Sequence, residues 1–64
     1  MSKQEAKAML QNKKELKGHE IYNVTAYSEN NIVFTSCKGN KCYYGLLDDQ
    51  GIDLEYAGNR NDLQ

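Results

Sequence analysis

Residues 32–47 read IVFTSCKGNKCYYGLL, and this stretch decides the fold. Residues that favour strands flank KGNK, whose glycine and asparagine can supply the positive φ of a two-residue reversal. With that turn, Cys37 lies opposite Cys42. Phe34 then lies opposite Gly45, so that an aromatic ring covers a strand glycine. The stretch predicts an antiparallel hairpin.

Two further strands are predicted outside this hairpin. The runs IYNVTAY at residues 21–27 and IDLEYA at residues 52–57 also have a two-residue period and are rich in β-branched and aromatic residues. A turn at Asn30 and Asn31 would place Tyr27 opposite Phe34. A three-residue turn at residues 49–51 would place Ile52 on the same side as Leu46. The pattern predicts an antiparallel meander.

The first part of the chain predicts a helix. SKQE at residues 2–5 has the form of a capping box, in which a serine and a glutamate satisfy each other's backbone amides. Ala6, Met9, Leu10 and Leu16 recur at helical spacing, and Gly18 follows as a residue able to end the helix. This helix has a single narrow apolar stripe, so it needs a surface on which to lie.

These elements define an α+β fold. We expect the N-terminal helix to pack on one face of a three- or four-stranded antiparallel meander in the order 1-2-3-4. A small β-barrel with an N-terminal helix is the alternative architecture. We expect residues 1–58 to form a single domain and residues 59–64, NRNDLQ, to form a flexible polar tail.

The strand periods sort the side chains into two faces. The first face is the better predicted core and contains Tyr22, Val24, Ala26, Val33, Thr35, Cys37, Cys42, Tyr44, Leu46, Ile52, Leu54 and Tyr56. A single helix covers only one face of a sheet. The second face nevertheless displays six apolar residues, and clustered exposed apolar side chains on a small protein mark an association surface. The predicted partner-binding or dimer face is Ile21, Tyr27, Ile32, Phe34, Tyr43 and Leu47.

Size and composition argue against several classes of function. A chain of 64 residues has room for one small core and little room for a catalytic cleft, so we expect no enzyme and no catalytic residues. Residues 1–16 are rich in lysine and contain no long apolar run, which predicts neither a signal peptide nor a membrane segment. We therefore expect a cytoplasmic protein with no membrane partner.

Cys37 and Cys42 are a possible redox pair. A cytosol would keep them reduced, so we favour packed thiols over a disulfide, and metal ligation is the third reading. Zinc prefers Cys-x-x-Cys spacing and four good ligands, whereas this chain adds only His19 to the two cysteines. We expect neither a metal nor a cofactor.

The favoured function is a small non-enzymatic protein-binding or accessory module. We expect a homodimer or a protein partner, in the manner of small regulators or inhibitors from bacteria, phages or mobile elements. The alternative is a nucleic-acid-binding protein that uses the hairpin lysines Lys38 and Lys41 with the stacking residues Tyr43 and Tyr44. A net charge of -1 argues against that alternative, because phosphate binding needs basic surface.

Overall fold

A computed structural model describes residues 1–63 of the chain. Its elements are α1 (Lys3–Gln11), a 3-10 turn η1 (Lys14–Leu16), β1 (Glu20–Tyr27), β2 (Ile32–Lys38), β3 (Lys41–Asp48), β4 (Gly51–Asn59) and a 3-10 turn η2 (Arg60–Leu63). The strands form one open antiparallel sheet in the order β1-β2-β3-β4. The predicted α+β meander is confirmed with four strands, and the sheet is not a closed barrel.

The predicted capping box begins α1. Ser2 Oγ accepts a hydrogen bond from the Glu5 amide at 3.1 Å, and the Ser2 amide donates to Glu5 Oε1 at 3.3 Å. The helix ends earlier than the sequence suggested, with Asn12 as its C-cap. The turn η1 then places Leu16 in the core, and Gly18 follows with a φ of 85°.

The β2–β3 hairpin has the predicted register. Cys37 pairs with Cys42 and Phe34 pairs with Gly45. Gly39 has a φ of 63° at the first central position of the turn, which is the position where a type II′ turn requires glycine. The hairpin register is therefore confirmed.

The β1–β2 register differs from the prediction. Tyr27 pairs with Ile32 instead of Phe34, and Val24 is the residue opposite Phe34. Residues 28–31 form the turn, in which the Ser28 amide donates to the Asn31 carbonyl at 2.8 Å. Two irregularities in β1 shift the register again, because a bulge inserts an extra residue on one strand.

The β3–β4 turn is one residue shorter than predicted. Asp48 pairs with Gly51, so the turn has two central residues, and Leu47 pairs with Ile52. Ile52 therefore shares a side with Leu47, and the prediction that it shares a side with Leu46 is wrong. Because side chains alternate along a strand, this single residue moves the apolar positions of β4 to the other face.

The helix covers the face that the sequence analysis left uncovered. The core consists of Ala6, Leu10, Leu16, Ile21, Val24, Ile32 and Phe34, with Leu47 and Ile52 packed against it. The prediction that α1 covers the face of Val33, Tyr44 and Leu46 is wrong. The reason is the β3–β4 register, which adds Ile52 to the side of Phe34 and so makes that side the more apolar one.

The end of the chain returns to the tip of the β2–β3 hairpin. β4 extends to Asn59, and the Arg60 amide at the start of η2 donates to the Asn40 carbonyl at 2.7 Å. The segment predicted as a tail, residues 59–64, thus begins inside β4 and continues as η2. Its last residue, residue 64, lies outside the described residues.

Candidate partner-binding surface

The predicted partner-binding residues lie mainly under the helix. Ile21 and Ile32 are each 2% exposed and Phe34 is 1% exposed. Tyr43 and Leu47 on β3 are half-buried, and Tyr27 is the one exposed member of the set. The prediction that this set forms an uncovered face is wrong, because α1 packs on the side that these residues share.

The opposite side of the sheet, called the open face below, carries exposed apolar side chains. Two neighbouring cross-strand rows form its centre: Ala26, Val33, Leu46 and Asp53 in one, and Asn23, Thr35, Tyr44 and Glu55 in the other. Val33 is 41% exposed and Tyr44 is 54% exposed. A shallow depression of about 330 Å³ is lined by five residues of these rows, Val33, Tyr44, Leu46, Asp53 and Glu55, and by Gly45 and Leu54, which lie between them along β3 and β4.

Two carboxylates border this apolar surface on the β4 side. Asp53 pairs with Leu46 and Glu55 pairs with Tyr44, so both acids lie directly beside apolar open-face residues. Among residues 1–63, the one ion pair joins Arg60 to Glu20 at 3.8 Å. Asp53 and Glu55 therefore have no cationic partner within the described part of the chain. A basic group from outside would meet no competing ion pair there.

No other strand within residues 1–63 pairs with the outer edge of β4. In a hairpin with a two-residue turn, the two residues that flank the turn form a hydrogen-bonded pair. Along the strands, non-hydrogen-bonded and hydrogen-bonded pairs then alternate. Asp48 and Gly51 are that closing pair, so Asp53 and Glu55 also bond to β3. The intervening Leu54 and Tyr56 then point their N–H and C=O groups away from the sheet.

The residues whose backbone groups point outward from β4 also have exposed apolar side chains. Leu54 is 39% exposed and Tyr56 is 57% exposed. Leu54 pairs with Gly45 and so lies on the helix side of the sheet, beyond the ring of Phe34. The main helix contacts are with β1, which leaves this part of β4 uncovered.

The two cysteines form a disulfide on the open face, where the sequence analysis favoured reduced thiols. Their Cα atoms lie 4.0 Å apart, because the confirmed register makes them a directly opposed pair. Both are almost completely buried. Glu20 and Gly58 complete their cross-strand row, and the Arg60 side chain reaches Glu20. The η2 end of the chain thus lies beside the disulfide.

The residues of the predicted nucleic-acid surface separate onto two faces. Lys38 pairs with Lys41 at the hairpin end, on the same side of the sheet as Tyr43. Tyr44 projects from the open face instead. Tyr43 lies in an aromatic row with His19 and Tyr56, at centroid distances of 5.5 Å and 5.9 Å. The structure therefore brings together Lys38, Lys41 and Tyr43 but not Tyr44.

The surroundings of His19 disfavour its protonated form. Its Nδ1 lies within hydrogen-bond distance, 3.1 Å, of the hydroxyl of the buried Ser36. Partial burial lowers the pKa of His19 below its ordinary value of 6.5, and the charge of Lys38 lowers it further.

No metal centre or membrane span is found in the described part of the chain. No group of three or more His, Cys, Asp or Glu residues within residues 1–63 is placed to hold a metal ion. No helix there is long and apolar enough to cross a bilayer.

Comparison with protein-family models, with curated proteins and with solved structures gave no match to this chain. Val33 and Leu54 are exposed and Leu46 is half-buried, although the sequence placed all three in the predicted core. The alternation in IDLEYA was the available signal, since it puts acids and apolar residues of β4 on opposite faces.

Proposed function

We propose that the chain is a small non-enzymatic protein-binding module, acting as an accessory protein, regulator or inhibitor of a larger protein. The observation that carries the proposal is the exposed apolar surface centred on Val33 and Tyr44 and bordered by Asp53 and Glu55. Exposed apolar side chains beside polar ones are typical of interfaces, and tyrosine is enriched there. Charge complementarity selects the partner: a protein whose apolar contact residues are flanked by lysine or arginine.

The partner-binding role moves from the predicted face to the open face. A partner at the predicted face would have to displace α1 from Ile21, Ile32 and Phe34, which are buried core residues. The open face needs no such rearrangement. The homodimer stays a prediction, tested by measuring the molar mass in solution.

The experiment compares capture by matched variants. Wild-type protein is used as bait in an extract of its native host beside a Val33→Asp, Tyr44→Lys double variant. Tyr27→Lys is the control at an exposed position outside the open face. A partner retained by wild type and Tyr27→Lys but lost by the double variant supports the proposal. A partner retained equally by all three contradicts the open-face assignment.

Nucleic-acid binding is the second candidate, favoured by one observation. The row of His19, Tyr43 and Tyr56 lies beside Lys38, which combines stacking surfaces with a positive charge. Binding that neutralises phosphates loses orders of magnitude in affinity between about 50 and 200 mM salt, whereas apolar association is nearly insensitive to salt. Titration of labelled oligonucleotides with wild type and a Lys38→Glu, Lys41→Glu variant tests this candidate.

A further inference from the structure

We propose that the outer edge of β4 binds an extended protein segment in which apolar and basic residues alternate, so that the segment becomes a fifth strand. This inference rests on the proposed protein-binding function and specifies how the partner docks. Strand addition to an exposed edge is a recurrent mode of recognition, in which backbone hydrogen bonds give affinity and alternate side chains give specificity.

The backbone of β4 provides the hydrogen-bonding groups. Leu54 and Tyr56 point their N–H and C=O groups outward, because Asp53 and Glu55 occupy the positions that bond to β3. β4 spans Gly51–Asn59, which makes it the longest strand of the sheet. The other edge strand, β1, has two register irregularities along its length, and bulges of that kind protect an edge against pairing. β4 has one irregularity, which lies beyond Tyr56 and leaves the pairing of Gly51 to Tyr56 with β3 regular.

The side chains of β4 define the chemistry of the added segment. Ile52, Leu54 and Tyr56 lie on the helix side, where Leu54 is 39% and Tyr56 is 57% exposed. Asp53 and Glu55 lie on the open face. Residues opposite each other on neighbouring strands contact one another. The complementary strand therefore carries apolar residues on the helix side and lysine or arginine on the open face.

A second copy of this chain is a poorer occupant of the edge. Antiparallel pairing of β4 with itself, centred on Leu54, would place Asp53 opposite Glu55 twice. Centring the pairing on Asp53 or on Glu55 would place two identical carboxylates opposite each other. Like charges in directly opposed positions destabilise a strand pair. In these three registers, which use the outward groups of Leu54 most fully, the charge pattern favours a basic segment over self-association.

The test uses synthetic capped peptides with the full-length protein. In the probe peptide, valine and lysine alternate. The first control peptide has glutamate in place of each lysine. The second has the composition of the probe, with all valines followed by all lysines. We expect wild type to bind the probe at least about tenfold more tightly than either control, from two cross-strand charge pairs and the strand register. Isothermal titration at low salt measures the three affinities.

Three variants separate edge pairing from general charge attraction. Leu54→Pro removes an outward N–H but no bond to β3, since proline is tolerated on the free side of an edge strand. We expect Leu54→Pro to weaken probe binding about tenfold, because one hydrogen bond to the peptide is lost and the proline ring fits the added strand poorly. Leu54→Ala keeps the amide and should keep most of the affinity. The Asp53→Lys, Glu55→Lys variant should reverse the preference and bind the glutamate peptide.

Amide hydrogen exchange of the wild-type protein gives an answer that does not depend on a variant folding. Binding should slow exchange at Leu54 and Tyr56, and leave Asp53 and Glu55 unchanged because β3 already protects them. Absence of probe binding, equal binding of alternating and blocked peptides, or protection confined to other strands would each overturn the inference. If the open-face double variant still loses its native partner in those cases, the proposed function stands without strand addition.

Discussion

The ring of Phe34 lies directly over Gly45 on the neighbouring strand. The two residues are paired in the β2–β3 register, and a Cβ atom added to Gly45 would clash with the Phe34 ring. Phe34 is among the largest fully buried side chains of the protein. The absence of a side chain at position 45 is therefore what leaves room for the ring of this core residue against β3.

Gly45→Ala should lower the free energy of unfolding by about 1–3 kcal/mol, because overpacking forces the ring or the strand to move. In a Phe34→Leu background the same substitution should cost less, since the smaller side chain leaves more room for the added methyl group. Urea denaturation of the four proteins in this double-mutant cycle measures the coupling. Equal costs of Gly45→Ala in both backgrounds would mean that the ring contact is unimportant.

Neighbouring residues of β2 should respond oppositely to a charge. Phe34→Asp should unfold the domain, because it places a carboxylate without a partner in the core at a cost of several kcal/mol. Val33→Asp should cost only about 1 kcal/mol, since Val33 lies on the open face and is partly exposed. Circular dichroism melts of both variants check the face assignment, and a folded Phe34→Asp variant would show that α1 does not cover this side.

Reduction of the disulfide should weaken the fold without abolishing it. The bridge joins two residues that are 5 positions apart in the sequence. Closing so short a loop contributes about 2 kcal/mol to the free energy of unfolding in the chain-entropy model. The helix core lies on the opposite face and does not include either cysteine. Denaturant titration with and without a thiol-free reductant should show that loss. A Cys37→Ala, Cys42→Ala variant should be insensitive to the reductant.

Acid should destabilise the protein through His19. Its pKa is lowered in the folded state, first by burial and then by Lys38, so the unfolded chain binds the proton more tightly. The contribution to stability is complete above the ordinary value of 6.5 and is lost as the pH falls through the folded-state pKa. Melting temperatures between neutral and mildly acidic pH measure this loss.

The matched control for that titration is His19→Gln, which cannot gain the proton. We expect this variant to retain its stability over the same pH interval, apart from any effect of the carboxylates at lower pH. An identical loss of stability in wild type and His19→Gln would assign the acid sensitivity to other groups.

The hairpin of residues 32–47 could be predicted because its determinants are local. A two-residue turn fixes the register of every following pair, and Phe34 opposite Gly45 supplied independent support. The capping box at Ser2 and Glu5 was predictable for the same reason. Neither depends on contacts with distant parts of the chain.

The choice of covered face could not be read as easily. Ile21 and Val24 both lie in the core although strict alternation would separate them, because β1 contains register irregularities. A turn that was one residue too long assigned Ile52 and Leu54 to the wrong side. These two local errors reversed the comparison between the faces, and so Ile21, Ile32 and Phe34 of the predicted partner-binding set are core residues.

The sequential strand order also affects the rate of folding. Each strand pairs with its neighbour along the chain, so the sheet can grow from the β2–β3 hairpin without closing a long loop. Folding is fast when contacts are local in sequence. The cross-link between Cys37 and Cys42 keeps the two strands of the β2–β3 hairpin close together even in the unfolded ensemble. Oxidised protein should therefore refold faster than reduced protein, with most of the difference in the folding arm of the chevron.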